Sequence, residues 1–171
     1  MGEHRGTSST TVPRTNAKLT VLSVSPQDED HMCLQAIVSH STWMLLTARD
    51  LESTVTMLRH HEIAVVVCER NLSPGRWIDV LDHIDALPRS PSLIVTSETA
   101  DDRLWAEVLN LGAWGVLAKP FDRTEVIRSV KSGWQLWHDR TLVRAKAMAA
   151  ATAGDGYPLA GDADRALAAA G

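Results

Sequence analysis

The chain has 171 residues, a formal net charge of −4 and a hydrophobic content of 44%. This length suits one domain with a single core plus terminal segments. The negative charge argues against a nucleic-acid partner, because phosphate contacts need clustered Lys and Arg. No apolar run approaches the roughly 18 residues of a membrane span, and the N-terminus lacks the apolar segment of a secretory signal. We therefore expect a cytoplasmic protein with no membrane partner.

The composition changes at both ends of the chain. Residues 1–17 are rich in Ser and Thr, and we expect them to be disordered. Residues 18–138 carry the apolar patterns of a folded domain, and residues 139–150 continue the last helix without a breaker. Residues 151–171 are rich in Ala and Gly and are predicted to form a flexible tail.

Strand-like and helix-like segments alternate along the predicted domain. The apolar runs typical of strands cover residues 19–25, 42–48, 63–69, 92–97 and 113–118. The segments between them show apolar residues at helical spacing, of which the first is marked by Cys33, Ala36, Ile37 and His40. Such alternation predicts right-handed crossovers and a parallel sheet that is covered on both faces. The two cysteines, Cys33 and Cys68, both lie in apolar stretches, so we expect buried thiols in a reducing compartment.

Polar residues follow several of the predicted strands where each strand ends. These residues are Ser25, Glu69, Thr96 and Lys119. The carboxyl ends of parallel strands meet at one edge of the sheet, so the four side chains should converge in a crevice. A carboxylate at the end of a buried strand is costly unless a cation pairs with it. We expect Lys119 to pair with Glu69, while Ser25-Pro26 is typical of a helix start with Ser25 as the N-cap.

Three stretches together resemble the receiver domain of two-component response regulators over residues 18–138. They are "VVVCERNL" at 65–72, "LIVTS" at 93–97 and "LGAWGVLAKPF" at 111–121. The resemblance implies an α/β, flavodoxin-like fold, with five helices and a five-stranded parallel sheet in the order 2-1-3-4-5. It also implies that Glu69 stands in place of the phosphorylated Asp, that Thr96 is the switch hydroxyl and that Lys119 is the phosphate-pairing cation. Pro120 is the candidate for a cis peptide or a tight turn.

The acidic pair that helps receivers to hold Mg²⁺ aligns with Ser25 and Pro26, neither of which has a carboxylate. Asp28 or Glu29 would have to reach the site through a shift in register. Since Mg²⁺ requires hard oxygen ligands, we expect no metal, no cofactor and no catalysis. The resemblance is therefore to a degenerate receiver, or pseudo-receiver, in which Glu69 is not phosphorylated.

Tryptophans mark the candidate interaction face. Val116 stands where many receivers have an aromatic switch residue, and Trp114 lies two residues earlier, on the same side of the predicted strand. We interpret Trp114 as a residue at the rim of the sheet. The fourth helix, fifth strand and fifth helix carry Trp105, Trp114, Trp134 and Trp137. We expect Trp105 and one of Trp134 and Trp137 to form an exposed patch that supports a homodimer.

These observations favour a stand-alone receiver-like protein of phosphorelay signalling that acts by protein–protein interaction. Its partner would be a histidine kinase, another regulator or a second copy of the chain. An alternative is a functional phosphoacceptor response regulator with an atypical site. A third is a flavodoxin-like protein that binds a nucleotide or flavin, although the chain lacks a glycine-rich phosphate loop.

Overall fold

The computed structural model describes residues 19–153, in which parallel strands alternate with helices. The strands are β1 (Thr20–Val24), β2 (Met44–Ala48), β3 (Val65–Glu69), β4 (Ser92–Ser97) and β5 (Gly115–Ala118). The helices are α1 (Asp28–Val38), α2 (Leu51–His60), α3 (Trp77–Asp85), α4 (Asp102–Asn110) and α5 (Arg123–Ala153). The sheet has the order β2-β1-β3-β4-β5, with every neighbouring pair parallel. The predicted flavodoxin-like topology is confirmed.

The sheet separates two apolar cores because neighbouring residues of a buried strand point to opposite faces. Val65 and Val66 of β3 are both fully buried, one in each core. The core that contains Val66 is completed by α2, α3 and α4, with Trp77 of α3 almost fully buried. The core that contains Val65 is completed by α1 and α5.

Helix α5 is 31 residues long and continues past residue 138 without interruption. Its described part reaches Ala153, so residues 151–153, which the sequence placed in the tail, are helical. The predicted disordered segment 1–17 and the rest of the predicted tail lie outside the described residues. Within residues 19–153, no helix is both long and apolar enough to cross a membrane.

Helix α1 presents a different face to the core from the one that the sequence spacing indicated. Its buried residues are Asp30, His31, Leu34, Ile37 and Val38. Cys33, in contrast, is exposed, so the prediction of two buried thiols is wrong for Cys33 and holds for Cys68. The N-cap residue is Gln27 rather than Ser25. Ser25 is buried after β1, where its hydroxyl accepts a hydrogen bond from the Gln27 amide at 3.1 Å.

Candidate functional site

The carboxyl edge of the sheet brings the predicted site residues together. Glu69 ends β3 and lies in register with Thr96 of β4. Ser25 follows β1, and Lys119 follows β5, with a cis peptide bond between Lys119 and Pro120. A crevice at this edge is lined by Glu69, Lys119 and side chains of the loops that follow β1, β3 and β4.

Glu69 is held by a cation and two hydrogen-bond donors. Its Oε2 lies 2.5 Å from Lys119 Nζ, and only 11% of the Glu69 side chain and 10% of the Lys119 side chain are exposed. The Thr96 hydroxyl donates to the same Oε2 at 3.3 Å, and the backbone N–H of Asn71 donates to Oε1 at 3.3 Å. Glu69 is thus bound to the same threonine and lysine that the family resemblance assigns to a phosphoryl group.

Lys119 binds a second carboxylate in the same crevice. Its Nζ lies 2.6 Å from Asp30 Oδ2, and it also donates to Gln27 Oε1 at 3.1 Å. Ser25 donates its hydroxyl to Asp30 Oδ2 at 2.6 Å. One ammonium therefore bridges two largely buried carboxylates from different elements, α1 and β3, which leaves one excess negative charge when all three groups are ionised.

Asp30 is the site residue that the sequence reasoning missed. Of the acids considered instead, Asp28 forms an exposed ion pair with Arg49, and Glu29 is exposed. A signal was available, because Asp30 precedes Leu34 by one helical turn and therefore lies on the same face of α1. Cys33 and Ala36 belong to the buried face that the sequence predicts for this helix, and Asp30 does not lie on the face that they mark.

A buried histidine connects α1 to the end of β1 below this cluster. His31 Nε2 lies 3.0 Å from the Ser25 carbonyl oxygen, and His31 Nδ1 lies 2.8 Å from the Ser23 hydroxyl. A carbonyl can only accept, so Nε2 is the donor, and in neutral histidine Nδ1 then accepts from Ser23. These bonds fix the start of α1 against β1 and thereby position the neighbouring Asp30.

The environment of the cluster shifts two pKa values. Burial works against the charged form of Lys119, but hydrogen bonds to Asp30 and Glu69 outweigh it and raise the pKa of Lys119 above 10.5. Burial also raises the pKa of the Cys68 thiol, and the charge of neighbouring Glu69 adds to the effect. Lys119 is therefore an ammonium at neutral pH, and Cys68 is a neutral thiol rather than a reactive thiolate.

The tryptophans of the candidate interaction face lie in three different environments. Trp105 and Trp114 are each 38% exposed, as expected of a surface patch. Trp134 is half-buried and stacks on His138 with ring centroids 5.2 Å apart. Trp137 is only 5% exposed and packs in the core formed by α1 and α5, so of the two alternatives, Trp134 and Trp137, it is not the one that contributes to a surface patch.

Trp114 covers the edge of the sheet from a position just before β5. Val116 is buried in the core beneath α2, α3 and α4, but the Trp114 indole lies against Gly133 of α5. A Cβ at Gly133 would lie 3.3 Å from Trp114 Cδ1, so glycine permits this close approach. The sequence predicts Trp114 on the same side of the strand as Val116, because side chains alternate between the two faces of a strand. Trp114 lies just outside β5, so this alternation does not apply to it.

The family comparison supports the resemblance that the motifs indicate. The model described as "Response regulator receiver domain" matches residues 14–131, well over half of the chain. None of the curated proteins compared matches this chain.

Solved structures share the fold at low sequence identity. A signal receiver domain of an HD domain-containing protein from Pseudomonas fluorescens Pf-5 has a TM-score of 0.69 and 23% identity, covering 77% of this chain and 97% of that chain. A signal receiver domain of a putative Luxo repressor protein from Vibrio parahaemolyticus has a TM-score of 0.68 and 17% identity, covering 74% of this chain and 97% of that chain. With its motifs, its topology and the match over residues 14–131, this chain belongs to the response regulator receiver domain family.

Proposed function

We propose that this receiver domain is a pseudo-receiver, which acts in two-component signalling through protein–protein interaction and is neither phosphorylated nor an enzyme. The observation that carries the proposal is the position of Lys119 Nζ, 2.5 Å from Glu69 and 2.6 Å from Asp30. This ammonium supplies, within the chain itself, the positive charge that the two carboxylates need.

The donor set does not fit Mg²⁺, the metal that the family implies. Mg²⁺ takes oxygen ligands in near-ideal octahedral geometry, usually with one or two carboxylates. The two carboxylates at the site, those of Asp30 and Glu69, are both paired with Lys119, and the usual acidic positions hold Ser25 and Pro26, which have no carboxylate. Within residues 19–153, no group of three or more His, Cys, Asp and Glu side chains is placed to hold a metal ion. A metal would have to displace the Lys119 ammonium from both of its partners.

Glu69 also provides a permanent negative charge where a phosphorylated Asp would carry one. Its carboxylate is bound to Thr96 and Lys119 without any modification. Phosphoryl transfer depends on cations that neutralise the transferred group, and here the cation is already engaged by two carboxylates. This supports a single, fixed signalling state rather than one that is switched by phosphorylation.

The test is incubation of the protein with Mg²⁺ and a small acyl phosphate, followed by intact-mass measurement. We expect no added phosphoryl group in the wild type. The triple variant Ser25→Asp, Pro26→Asp, Glu69→Asp should gain one, because it restores the acidic pair and the phosphoacceptor. An addition to the wild type that is lost in Glu69→Gln would overturn the proposal.

That last outcome would support the alternative of a working phosphoacceptor with an atypical site. One observation favours this alternative, namely that Asp30 brings a carboxylate into the site although the usual acidic positions are lost. The crevice beside Glu69 and Lys119 also opens to the surface between the loops.

We further propose that the partner, a second copy or another signalling protein such as a histidine kinase, binds the face formed by α4, β5 and α5. Trp105 and Trp114 expose indole surface there and flank Gly115 at the edge of the sheet. A receiver domain dimer is among the solved structures with this fold, at 19% identity and a TM-score of 0.64.

Sedimentation at micromolar concentration tests the homodimer. We expect a dimer in the wild type that dissociates in Trp105→Glu and persists in Met32→Glu. Met32 is a suitable control because it is 71% exposed and lies on α1, which is not one of the three elements that form this face. A monomer at every concentration of the wild type would leave the face to a different protein.

A further inference from the structure

A groove lies between the distal half of α5 and the connection from α3 to β4. Its loop wall is formed by Pro88, Arg89 and Ser90. Its helix wall is a single face of α5, because the residues that line it follow the spacing i, i+3, i+4, i+7, i+8 and i+11. These residues are Trp137, Arg140, Thr141, Arg144, Ala145 and Met148. None of the lining residues belongs to the cavity beside Trp105 and Trp114, so the groove is a separate surface.

The two walls of the groove are fixed by contacts within the domain. Trp137 is 5% exposed and packs in the core formed by α1 and α5, so the helix wall is anchored to the sheet. Arg144 donates to the Pro88 carbonyl oxygen at 2.7 Å, and this bond joins the helix wall to the loop wall. The groove is therefore formed in advance, and an occupant binds without the cost of ordering it.

The groove concentrates positive charge on a chain whose net charge is −4. It is lined by Arg89, Arg140 and Arg144, and none of its lining residues within 19–153 is acidic. Arg89 pairs with Glu62, but Arg140 forms no ion pair with any residue in that range. Arg140 and Arg144 are one helical turn apart, and like charges at that spacing destabilise a helix. An acidic occupant removes this repulsion, so charge complementarity favours one.

The apolar groups and the length of the groove distinguish a protein segment from a small anion. Met148 is 66% exposed and lies eleven positions after Trp137, or about 16.5 Å along the helix axis. A single phosphate or carboxylate ion would neutralise the arginines but leave Met148 in water. An amphipathic helix of about three turns spans the whole groove, with apolar side chains at i, i+3, i+4 and i+7 on the side that it presents.

We propose that this groove is a docking site for an acidic amphipathic helix of a partner protein. Apolar side chains of that helix pack on Met148 and Pro88, and its Asp or Glu side chains pair with Arg140 and Arg144. The site goes beyond the pseudo-receiver function, since it uses neither the crevice at the carboxyl edge of the sheet nor the tryptophan patch on α4 and β5. The chain then has two independent surfaces for partners.

Selection from a display library of helical peptides, with the full chain as the target, tests the site. We expect enriched peptides to carry apolar residues at i, i+3, i+4 and i+7, flanked by an excess of Asp and Glu. The affinity of an enriched peptide should fall by about tenfold in Arg140→Glu, because repulsion replaces attraction. Arg140 is exposed, so this substitution leaves the fold intact. No enrichment, or enrichment of peptides without acidic excess, would refute the proposal.

Controls place the selected peptide in the groove. Lys146→Glu makes the same change of charge at an exposed position of α5 outside the groove, so it should bind the peptide as the wild type does. Exchanging a peptide Glu for Lys should recover binding to Arg140→Glu. Trp105→Glu should have no effect, so failure of this site and failure of the tryptophan patch are distinguishable. Equal affinities of the wild type and Arg140→Glu would contradict the proposal.

A second pair of variants tests the apolar half of the site. Met148→Ser should weaken binding of the same peptide by about tenfold, because an apolar contact is lost. Val143→Ser is the matched control, since Val143 is 69% exposed but does not line the groove. Loss of binding in Arg140→Glu with none in Met148→Ser would mean a site for anionic groups alone and would exclude the helix. A wild-type dimer that Arg140→Glu dissociates would place a second copy in the groove and rule out the separate partner.

Discussion

Ion pairs at the two ends of the sheet use similar chemical groups in very different surroundings. At the carboxyl end, Lys119 and its partners Asp30 and Glu69 expose only 10–11% of their side chains. At the amino end, the Arg89 and Glu62 side chains are 56% and 58% exposed. When one partner is removed, water can solvate the charge that remains in the exposed pair, but it solvates a charge that remains in the buried cluster poorly.

The difference teaches that burial and the number of charges decide what an ion pair contributes. An exposed pair contributes about 0–1 kcal/mol, because water solvates both charges whether or not they meet. In a buried group, removal of one partner leaves the other without compensation. The carboxyl-end cluster has one cation for two carboxylates, so Lys119 matters more than either acid alone.

The largest effect is expected for Lys119→Met. This change leaves Asp30 and Glu69 buried and facing each other without a cation, so we expect the free energy of unfolding to fall by about 3–5 kcal/mol. Urea denaturation at pH 7 measures it. Glu69→Gln should cost clearly less, because Lys119 and Asp30 then form a balanced pair.

Arg89→Met is the matched control for this substitution, since it removes the cation of the exposed pair. We expect a loss of at most about 1 kcal/mol. Comparable losses in the two variants would break the comparison and indicate that water reaches the carboxyl-end cluster as freely as it reaches Arg89.

Alkaline pH should produce a smaller, graded effect. The pKa values of Cys68 and Lys119 are raised in the folded protein above ordinary values of 9.0 and 10.5. The unfolded chain therefore releases these protons at lower pH than the folded protein does. Stability is lost as the pH rises from the unfolded-state pKa of each group towards its folded-state pKa. We expect the free energy of unfolding to begin to fall near pH 9 and to fall more steeply above pH 10.5, by at most about 1.4 kcal/mol per pH unit for each group.

Two variants separate the contributions to this profile. Cys68→Ala should delay the decline, because it removes the thiol that ionises first in the unfolded chain. Lys119→Met should remove the steeper part above pH 10.5 while keeping the earlier onset. If the Lys119→Met profile kept its full steepness there, the raised pKa of Lys119 would not be its source.

The sequence by itself determined the alternation of strands and helices and the edge at which the site forms. Continuous apolar runs such as residues 63–69 require burial on both faces, which only a covered parallel sheet provides. Glu69, Thr96 and Lys119 end up together because each follows or ends such a run, and topology brings those ends to one edge. The motifs around these residues were specific enough to indicate the family.

Only the tertiary structure decided which helical faces are buried, and with them the second carboxylate of the site. A short amphipathic helix such as α1 has apolar residues on more than one side of its axis. The spacing of these residues therefore does not determine which side faces the sheet. Packing against the sheet selected Leu34 and Ile37, which turned Asp30 towards Lys119 and left Cys33 exposed. The same cause placed Trp137 in the core instead of on the surface, because the face of α5 that the sheet covers is chosen by contacts between elements distant in sequence.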